Sequence, residues 1–355
     1  MLMMTPGPTE VPERVRKALS KPIQNPDIDE DFFKFYRLLE KKLQRVYGTD
    51  DDVLILGGEG ILGLEASIAS VVDDGDKVLC ISNGIFGDGF ADFVRKYGGR
   101  VEMVDFPYDS GIEIEKVERK LEDEDYKAAT MVHCETPTGI LNDLAPILDL
   151  LQEKGILTIV DAVSSLGGTR VPTENIDICI GGSQKCFSSP PGLTTLSLSE
   201  HAWESVTEKE DEHLYTSLKV WKDSWLDEGR FPYTHLVSNL YGLDESLDMI
   251  LEEGKEKVYR RHESVSEFCR TRGKEIGFEL YPKDDHLCSP TVTAFDVEDD
   301  SSELQKRMKD EKDILLATSL GDLKDEILRI GHMGYNAKKE KVRRTMNALE
   351  ELVKD

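Results

Sequence analysis

Residues 176–187 read Ile176-Asp177-Ile178-Cys179-Ile180-Gly181-Gly182-Ser183-Gln184-Lys185-Cys186-Phe187. A short β-branched run ends at two glycines, and Lys185 follows on a turn that continues into Ser188-Ser189-Pro190-Pro191-Gly192. Because proline is excluded from helix interiors and central strands, this turn belongs to neither. An amine at the end of a buried strand loses its proton more easily than one in water, and can then attack a carbonyl. A lone lysine of this kind is nevertheless more often an ordinary surface residue.

A second buried strand lies upstream and ends in an acid. It reads Ile156-Leu157-Thr158-Ile159-Val160-Asp161. Ligands of open α/β sheets bind at the carboxyl ends of the strands, although Asp161 alone could simply cap the next turn. One strand ending in an acid and another ending in Ser-Gln-Lys suit an acid that holds a pyridinium proton and a lysine that forms an imine. The cofactor that this pair implies is pyridoxal 5′-phosphate (PLP).

Composition narrows the class of protein. The chain has 355 residues, 39% of them hydrophobic, which is enough for one large domain and a smaller one. A net charge of −26 argues against nucleic-acid and anionic-membrane partners. The sequence has no apolar run of membrane-spanning length, and Met1-Leu2-Met3-Met4 is too short for a signal peptide. The six cysteines show no CxxC spacing, so we expect reduced thiols in a cytoplasmic protein.

The order of predicted elements indicates an α/β fold with a large mixed, mostly parallel sheet. Predicted strands at 53–56, 77–81, 100–104 and 128–133 alternate with helical patterns, and 193–198 is expected to return antiparallel. A long helical pattern over 243–272 precedes short strands at 279–281, 291–295, 314–318 and 327–330. We therefore predict an N-terminal arm (1–14), a large PLP-binding domain (15–250) and a small C-terminal α+β domain (251–355).

Other candidate site residues follow predicted strands or lie within them. Gly57-Gly58-Glu59-Gly60 joins a strand to a helix start, where free N–H groups and the helix dipole favour a phosphate, although Glu59 is an awkward neighbour for one. Phe86 could lie flat on a heterocycle or simply pack in the core. Thr136 follows a strand and could face the ligand. Arg329 within a strand suits a substrate carboxylate if it is buried, or solvent if the strand is an edge.

These motifs together resemble the class V aminotransferases. More narrowly, the chain is similar to the serine–pyruvate/alanine–glyoxylate branch of the fold-type I PLP enzymes. The resemblance runs almost end to end. The motifs that carry it are Asn83-Gly84-Ile85-Phe86-Gly87, Asp161 to Gly168, Gly182-Ser183-Gln184-Lys185, Pro190-Pro191-Gly192 and Arg329-Ile330-Gly331.

The resemblance implies an aminotransferase that moves an amino group from a small amino acid to a 2-oxo acid, in a homodimer with shared active sites. Lys185 would form the Schiff base and carry the proton, Asp161 would protonate the ring nitrogen, and Phe86 would stack on the ring. The resemblance further implies contacts with the cofactor by Gly60, Ile61, Thr136, Val163, Gln184 and, from the other subunit, Thr234, and contacts with the substrate by Gly7 and Arg329. Two departures are Glu59, in place of a small residue, and Phe231, in place of a phosphate-binding tyrosine for which Tyr233 could substitute.

Three alternatives remain open at this stage. One is a PLP-dependent lyase of the cysteine desulfurase type, which needs a loop cysteine, and only Cys186 and Cys288 are candidates. Another is an aminophosphonate or ureidoglycine transaminase on the same scaffold. The third is a non-catalytic relative, against which the presence of both Lys185 and Asp161 argues. The sequence leaves the amino donor and acceptor open.

Overall fold

The computed structural model of this protein describes residues 1–122, 124–210, 213–297 and 301–354. Its strands are β1 (Leu2–Met3), β2 (Asp52–Gly57), β3 (Lys77–Ser82), β4 (Arg100–Asp105), β5 (Ala128–Val132), β6 (Cys134–Glu135), β7 (Ile140–Leu141), β8 (Leu157–Asp161), β9 (Ile178–Gly182), β10 (Leu193–Leu198), β11 (Glu279–Leu280), β12 (Val292–Asp296), β13 (Ile314–Leu315), β14 (Ala317–Thr318) and β15 (Ile327–Gly331). Its α-helices are α1 (Glu13–Ala18), α2 (Glu30–Tyr47), α3 (Gly60–Val71), α4 (Ile85–Lys96), α5 (Ile114–Glu122), α6 (Ala145–Glu153), α7 (Glu200–Glu208), α8 (Leu218–Trp221), α9 (Val237–Glu253), α10 (Lys255–Glu275), α11 (Ser301–Lys312) and α12 (Lys339–Lys354).

Seven strands form the large sheet in the order β2-β10-β9-β8-β5-β3-β4. β10 runs antiparallel to both of its neighbours, and all other neighbouring pairs are parallel. The predicted α/β fold with a mixed, mostly parallel sheet is therefore confirmed, as is the antiparallel return over 193–198. Because six strands point the same way, the turns that follow them meet at one edge of the sheet, where ligands of such sheets bind.

The strands that carry the acid and the lysine are the most buried part of this sheet. Every residue of β8 and of β9 is buried, and the two strands pair in parallel with Asp161 opposite Ile180. Continuous apolar runs of this kind are typical of parallel strands covered by helices on both faces. The lengths of these two apolar runs therefore place Asp161 and the turn after Gly182 at the carboxyl edge of the sheet.

A smaller antiparallel sheet has the order β11-β12-β15-β14 and carries Arg329 in β15. The predicted single strand over 314–318 is wrong, because the chain divides at the buried Leu316. β14 joins this sheet, whereas β13 pairs in parallel with β1 at the start of the chain.

The described residues form two main hydrophobic cores. One contains residues from Ala18 to Val258 and surrounds the large sheet. The other contains residues from Val265 to Leu352, together with Leu2 and Met4 of the N-terminal arm. The domain boundaries at residues 14 and 250 stay predictions.

The helical pattern over 243–272 forms two helices rather than one. Gly254 separates α9 from α10 and has a φ of 87°, a left-handed conformation that glycine adopts without strain. Among the helices of the described residues, none is long and apolar enough to cross a membrane.

Candidate active site

The turns after β2, β3, β8 and β9 and part of the N-terminal arm enclose a cavity of about 310 Å³ at the carboxyl edge of the large sheet. The residues that line it are Gly7, Pro8, Glu59, Gly60, Ile61, Leu64, Phe86, Asp161, Val163, Ser164, Gln184, Lys185 and Pro191. Eight residues predicted as site residues from the sequence are among them. Thr136, Thr234 and Arg329 are not among the lining residues.

Asp161 ends β8 and its carboxyl is buried. One carboxylate oxygen accepts the N–H of Val163 at 2.8 Å. Burial raises the pKa of Asp161 to about 6, while the Val163 N–H and the charge of Lys185 oppose this rise and Glu59 adds to it. Asp161 is therefore an acid that holds its proton more firmly than an exposed aspartate, yet ionises near neutrality.

Lys185 reaches the same cavity from the turn after β9. Its Nζ donates a hydrogen bond of 2.7 Å to the carbonyl oxygen of Pro6 in the N-terminal arm. The pKa of Lys185 is lowered to about 8, mainly by burial and also by the positive charge of Arg329, while Asp161 opposes the shift. A substantial fraction of this amine is thus neutral, and nucleophilic, near physiological pH.

The arm is fixed to the lysine turn by further hydrogen bonds. The backbone N–H of Thr9 donates to the carbonyl oxygen of Gln184 at 3.0 Å, and the Thr9 hydroxyl donates to the carbonyl oxygen of Lys185 at 3.2 Å. The predicted arm therefore lines the cavity of its own chain.

At the helix start predicted to bind phosphate, the carboxylate of Glu59 already occupies one of the N–H groups. Glu59 accepts the N–H of Ile61 at 3.1 Å and so caps α3. A Cβ added to Gly60 or to Gly182 would lie 2.8 or 3.0 Å from Val163, so the two glycines lie close together. Gln184 Oε1 would lie 3.2 Å from the Cβ added to Gly182, and it is buried without a hydrogen-bond partner among the described residues.

Thr136 and Arg329 contact each other just outside the cavity. The carbonyl oxygen of Thr136 accepts Arg329 Nη1 at 3.1 Å, and the carbonyl oxygen of Thr318 accepts Nε and Nη2 of the same guanidinium at 2.9 and 2.7 Å. Burial lowers the pKa of Arg329 to about 10. The Thr136 hydroxyl bonds to the hydroxyl of Ser164, which lines the cavity.

The segment around Thr234 faces outwards. Thr234 is exposed and its hydroxyl donates to Asp27 at 3.0 Å. Phe231 stacks on Trp225 with ring centroids 4.5 Å apart, so it belongs to the aromatic core. Tyr233 accepts Trp221 Nε1 at 3.2 Å. In this chain alone, none of these three side chains reaches the cavity.

Glu135 is a buried residue that the sequence analysis did not identify. Its carboxylate oxygens accept the N–H groups of Phe86 at 3.3 Å and Gly87 at 2.7 Å. The only sequence signal was an acid between a predicted strand and a proline turn, a position that also suits a simple turn cap.

The cysteine geometry does not favour a lyase of the desulfurase type. Cys186 is buried and lines a different cavity, while Cys288 lies beside Asp284 and lines another. Among the described residues that line the cavity around Lys185 there is no cysteine.

Comparison with known proteins identifies relatives along the whole chain. The model of the family described as aminotransferase class-V matches residues 5–329. An uncharacterized aminotransferase of Methanocaldococcus jannaschii is 36% identical, covering 96% of this chain and 89% of that protein. A pyridoxamine–pyruvate transaminase of Mesorhizobium japonicum is 31% identical, covering 95% and 87%. The crystal structure of alanine–glyoxylate aminotransferase from Nostoc sp. matches with a TM-score of 0.95 at 28% identity, covering 99% and 94%.

The sheet topology and the cavity at its carboxyl edge place the protein among the fold-type I transferases. Within that class, the chain belongs to the class V aminotransferase family. The family, the fold class and the aminotransferase activity predicted from the sequence are thus confirmed.

Proposed function

We propose that this chain transfers an amino group from a small amino acid, such as alanine or serine, to a 2-oxo acid, such as glyoxylate or pyruvate, by a ping-pong mechanism with PLP as cofactor. The observation that carries the proposal is that Lys185 and Asp161, from two adjacent parallel strands, line one cavity. The relatives support these substrate types, since one is named for pyruvate and another for alanine and glyoxylate.

The residues present fit the ring of this cofactor. The structure gives the Asp161 carboxylate one hydrogen bond, from Val163, and a protonated ring nitrogen is the donor that would complete its set. Phe86 and Val163 offer flat and branched apolar surfaces in the same cavity. Bound PLP supplies a pyridinium ring that withdraws electrons and a carbon that bonds amines.

The residues in and around the cavity have different proposed roles. Lys185 would hold the ring through its Nζ and would move the proton at the α-carbon of the substrate. Asp161 keeps the ring nitrogen protonated. Arg329 holds the α-carboxylate and Gly7 closes the pocket. The remaining proposed cofactor contacts are Gly60, Ile61, Phe86, Thr136, Val163, Gln184 and, from a second subunit, Thr234.

We also propose a homodimer and a cytoplasmic location. Exposed apolar residues in the segments around Thr234 and its partner Asp27, namely Ile28 and Leu236, support a covered face there. All six cysteines are unpaired, which supports a reducing compartment. The molar mass in solution, measured by light scattering, tests the dimer.

Initial-rate kinetics test the central proposal. With one substrate varied at several fixed levels of the other, double-reciprocal plots should give parallel lines. Lys185→Ala should lose the visible absorbance of bound cofactor and lower kcat by about a thousandfold or more. Intersecting lines, or absorbance that survives in Lys185→Ala, would contradict the mechanism.

A second candidate function uses a compound that has the same pyridine ring but no phosphate group. The position of Glu59 favours this function. Glu59 already engages an N–H of the predicted phosphate site, and the charged side chains among the described lining residues are Glu59, Asp161 and Lys185. A phosphate beside Glu59 would be repelled, by less than the roughly 4 kcal/mol of two unit charges 4 Å apart at an effective dielectric constant of 20, because the Glu59 side chain is exposed to water. A neutral hydroxymethyl group would instead donate its O–H to Glu59 or to Gln184 Oε1, which has no hydrogen-bond partner within the described part of the chain.

In this second candidate, pyridoxamine is a substrate rather than a resident cofactor, as the name of the Mesorhizobium relative suggests. Its amino group passes to a 2-oxo acid, so that pyridoxal and an amino acid leave. The exocyclic carbon that carries the amino group of pyridoxamine is oxidised by two electrons. The oxo carbon of the acid is reduced by the same two electrons, so no other oxidant is needed.

Binding of PLP and of pyridoxal, followed by absorbance, separates the two candidates. The first candidate requires PLP to bind at least tenfold more tightly than pyridoxal. The second requires the reverse order in the native protein, and a shift towards PLP in Glu59→Gln, which keeps the helix cap but removes the charge. A preference for PLP that Glu59→Gln leaves unchanged would exclude the second candidate.

A further inference from the structure

Glu135 holds the first turn of α4 from β6, which pairs with β7 outside the large sheet. It follows β5, its side chain is fully buried, and its two carboxylate oxygens accept the N–H groups of Phe86 and Gly87. The first N–H groups of a helix have no partner within the helix. A residue distant in sequence therefore satisfies two of them.

The start of α4 is built to receive this carboxylate. Its N-cap residue is Gly84, which has no side chain to cap the helix. A Cβ added to Gly84 would lie 2.6 Å from Glu135 Oε2 and 2.7 Å from Cγ. Any larger residue at position 84 would occupy the space that the Glu135 side chain fills, so the two residues form one unit.

The helix turn that Glu135 holds carries a side chain of the cavity. Phe86 lines the cavity together with Asp161, Val163 and Lys185. Its N–H is one of the two groups that donate to Glu135, so Glu135 fixes the backbone of Phe86.

The loop after Glu135 also bonds to Arg329, which lies just outside the cavity. The carbonyl oxygen of Thr136 accepts Arg329 Nη1, and the carbonyl oxygen of Pro137 accepts the hydroxyl of Ser319 at 2.8 Å. Residues 135–137 therefore connect the start of α4 to the strands of the smaller sheet.

We propose that Glu135 is a positioning residue that, through the first turn of α4, fixes the Phe86 ring over the place where the pyridine ring binds. The inference rests on the proposed function, because it requires a pyridine ring in this cavity. It applies equally to PLP and to pyridoxal, since both carry that ring.

The surroundings of Glu135 raise the pKa of its carboxyl. The pKa is about 8, raised mainly by burial and also by the charges of Asp161 and Asp88, while the N–H groups of Gly87 and Phe86 oppose the rise. The two N–H donors therefore favour the ionised form of Glu135, which burial and the neighbouring acids disfavour.

Glu135→Gln tests the proposal, with Glu40→Gln as the matched control. Glu40 is another acid whose pKa is raised by burial to about 8, and its carboxylate accepts Trp225 Nε1, but it does not line the cavity. A glutamine at position 135 has only one acceptor oxygen for the two N–H groups. We expect the dissociation constant of the ring, PLP or pyridoxal as the native protein prefers, to rise about tenfold in Glu135→Gln. We expect it to change less than twofold in Glu40→Gln.

A structural role alone would not change the environment of the bound ring, so visible circular dichroism is measured as well. Its band should collapse in Glu135→Gln and survive in Glu40→Gln. A double-mutant cycle with Phe86→Ala then asks whether Glu135 acts through Phe86. In the Phe86→Ala background, Glu135→Gln should weaken ring binding by less than twofold. If Glu135→Gln does not fold, Glu135→Asp takes its place in the same cycle.

The inference would be overturned if Glu135→Gln bound the ring as tightly as the native protein and kept the dichroic band. It would also be overturned if Glu135→Gln weakened ring binding by the same factor in the native and the Phe86→Ala backgrounds. Failure of the proposed function gives a different result, because the native protein would then bind neither PLP nor pyridoxal.

Discussion

Lys185 Nζ donates a hydrogen bond of 2.7 Å to the carbonyl oxygen of Pro6, so the N-terminal arm lies directly on the lysine that we propose as the reactive amine. The next residue, Gly7, has a φ of 101°, and its backbone packs against the lysine stem. The arm is thus part of the cavity wall.

Gly7→Ala should disable Lys185 without unfolding the protein. An added Cβ would lie 2.6 Å from Lys185 Cε and 2.9 Å from Nζ, in a backbone conformation that alanine rarely adopts. We expect the yield of covalent trapping of PLP or pyridoxal by borohydride at position 185 to fall at least tenfold. Gly277→Ala is the control, since Gly277 has a φ of 99° and nothing within 4 Å of an added Cβ. Equal yields in the two variants would show that the contact with Lys185 is unimportant.

The rate of adduct formation at Lys185 should follow an unusual pH dependence. With a pKa of about 8, the neutral amine increases roughly tenfold between pH 7 and pH 9 and then reaches a plateau. An ordinary lysine would give an increase of roughly a hundredfold over that interval and no plateau. Asp161, whose pKa is about 6, is ionised throughout this range and does not interfere. Stopped-flow absorbance after mixing with the ring aldehyde measures the rate, and a profile without a plateau below pH 10 would refute the lowered pKa.

Arg329→Gln should change two quantities at once. The KM for the 2-oxo acid should rise about a hundredfold, because a charge-assisted pair with the carboxylate is lost. The midpoint of the Lys185 profile should also move to higher pH, because the Arg329 charge lowers the pKa of Lys185. Arg329→Lys keeps the charge and should leave the midpoint in place. A KM within twofold of the native value would remove Arg329 from the substrate site.

The contribution of Glu135 to the stability of the ligand-free protein should fall as the pH rises from about 5 to 8. In the folded state the pKa of Glu135 is about 8, against an ordinary value of 4.5, so the folded protein keeps a proton in this window that the unfolded chain releases. The stabilisation that comes from this proton therefore decreases as the pH rises through the window. The change in the free energy of unfolding from pH 5 to pH 8, measured by urea unfolding, should be more positive in Glu135→Gln than in the native protein by on the order of 2 kcal/mol. The same change in both proteins would show that Glu135 does not titrate in this range.

Local sequence patterns sufficed for the strands of the large sheet and for most residues that line the cavity. β8 and β9 are continuous apolar runs, and each places its polar residue where the run stops, so Asp161 and Lys185 could be located without coordinates. The Gly57–Gly60 turn and the Phe86 turn follow the same logic, because parallel strands bring the turns after them to one edge.

Features that depend on contacts between distant segments were missed. Glu135 bonds to the start of a helix far upstream, and no periodic pattern encodes that contact. The pairing of β1 with β13 was missed for the same reason. The break at Gly254 was missed because one glycine does not interrupt the apolar spacing of a long helix.

The pairing of β1 with β13 has a consequence for biosynthesis. The backbone of Met4 bonds to Gly331, and Leu2 and Met3 pair with Ile314 and Leu315, so residues 2–4 are docked by segments that are synthesised much later. A nascent chain that has already produced Lys185 and Asp161 still lacks the segment that brings Pro6 over the amine. The arm can therefore cover the amine only after residues 314–331 have been synthesised.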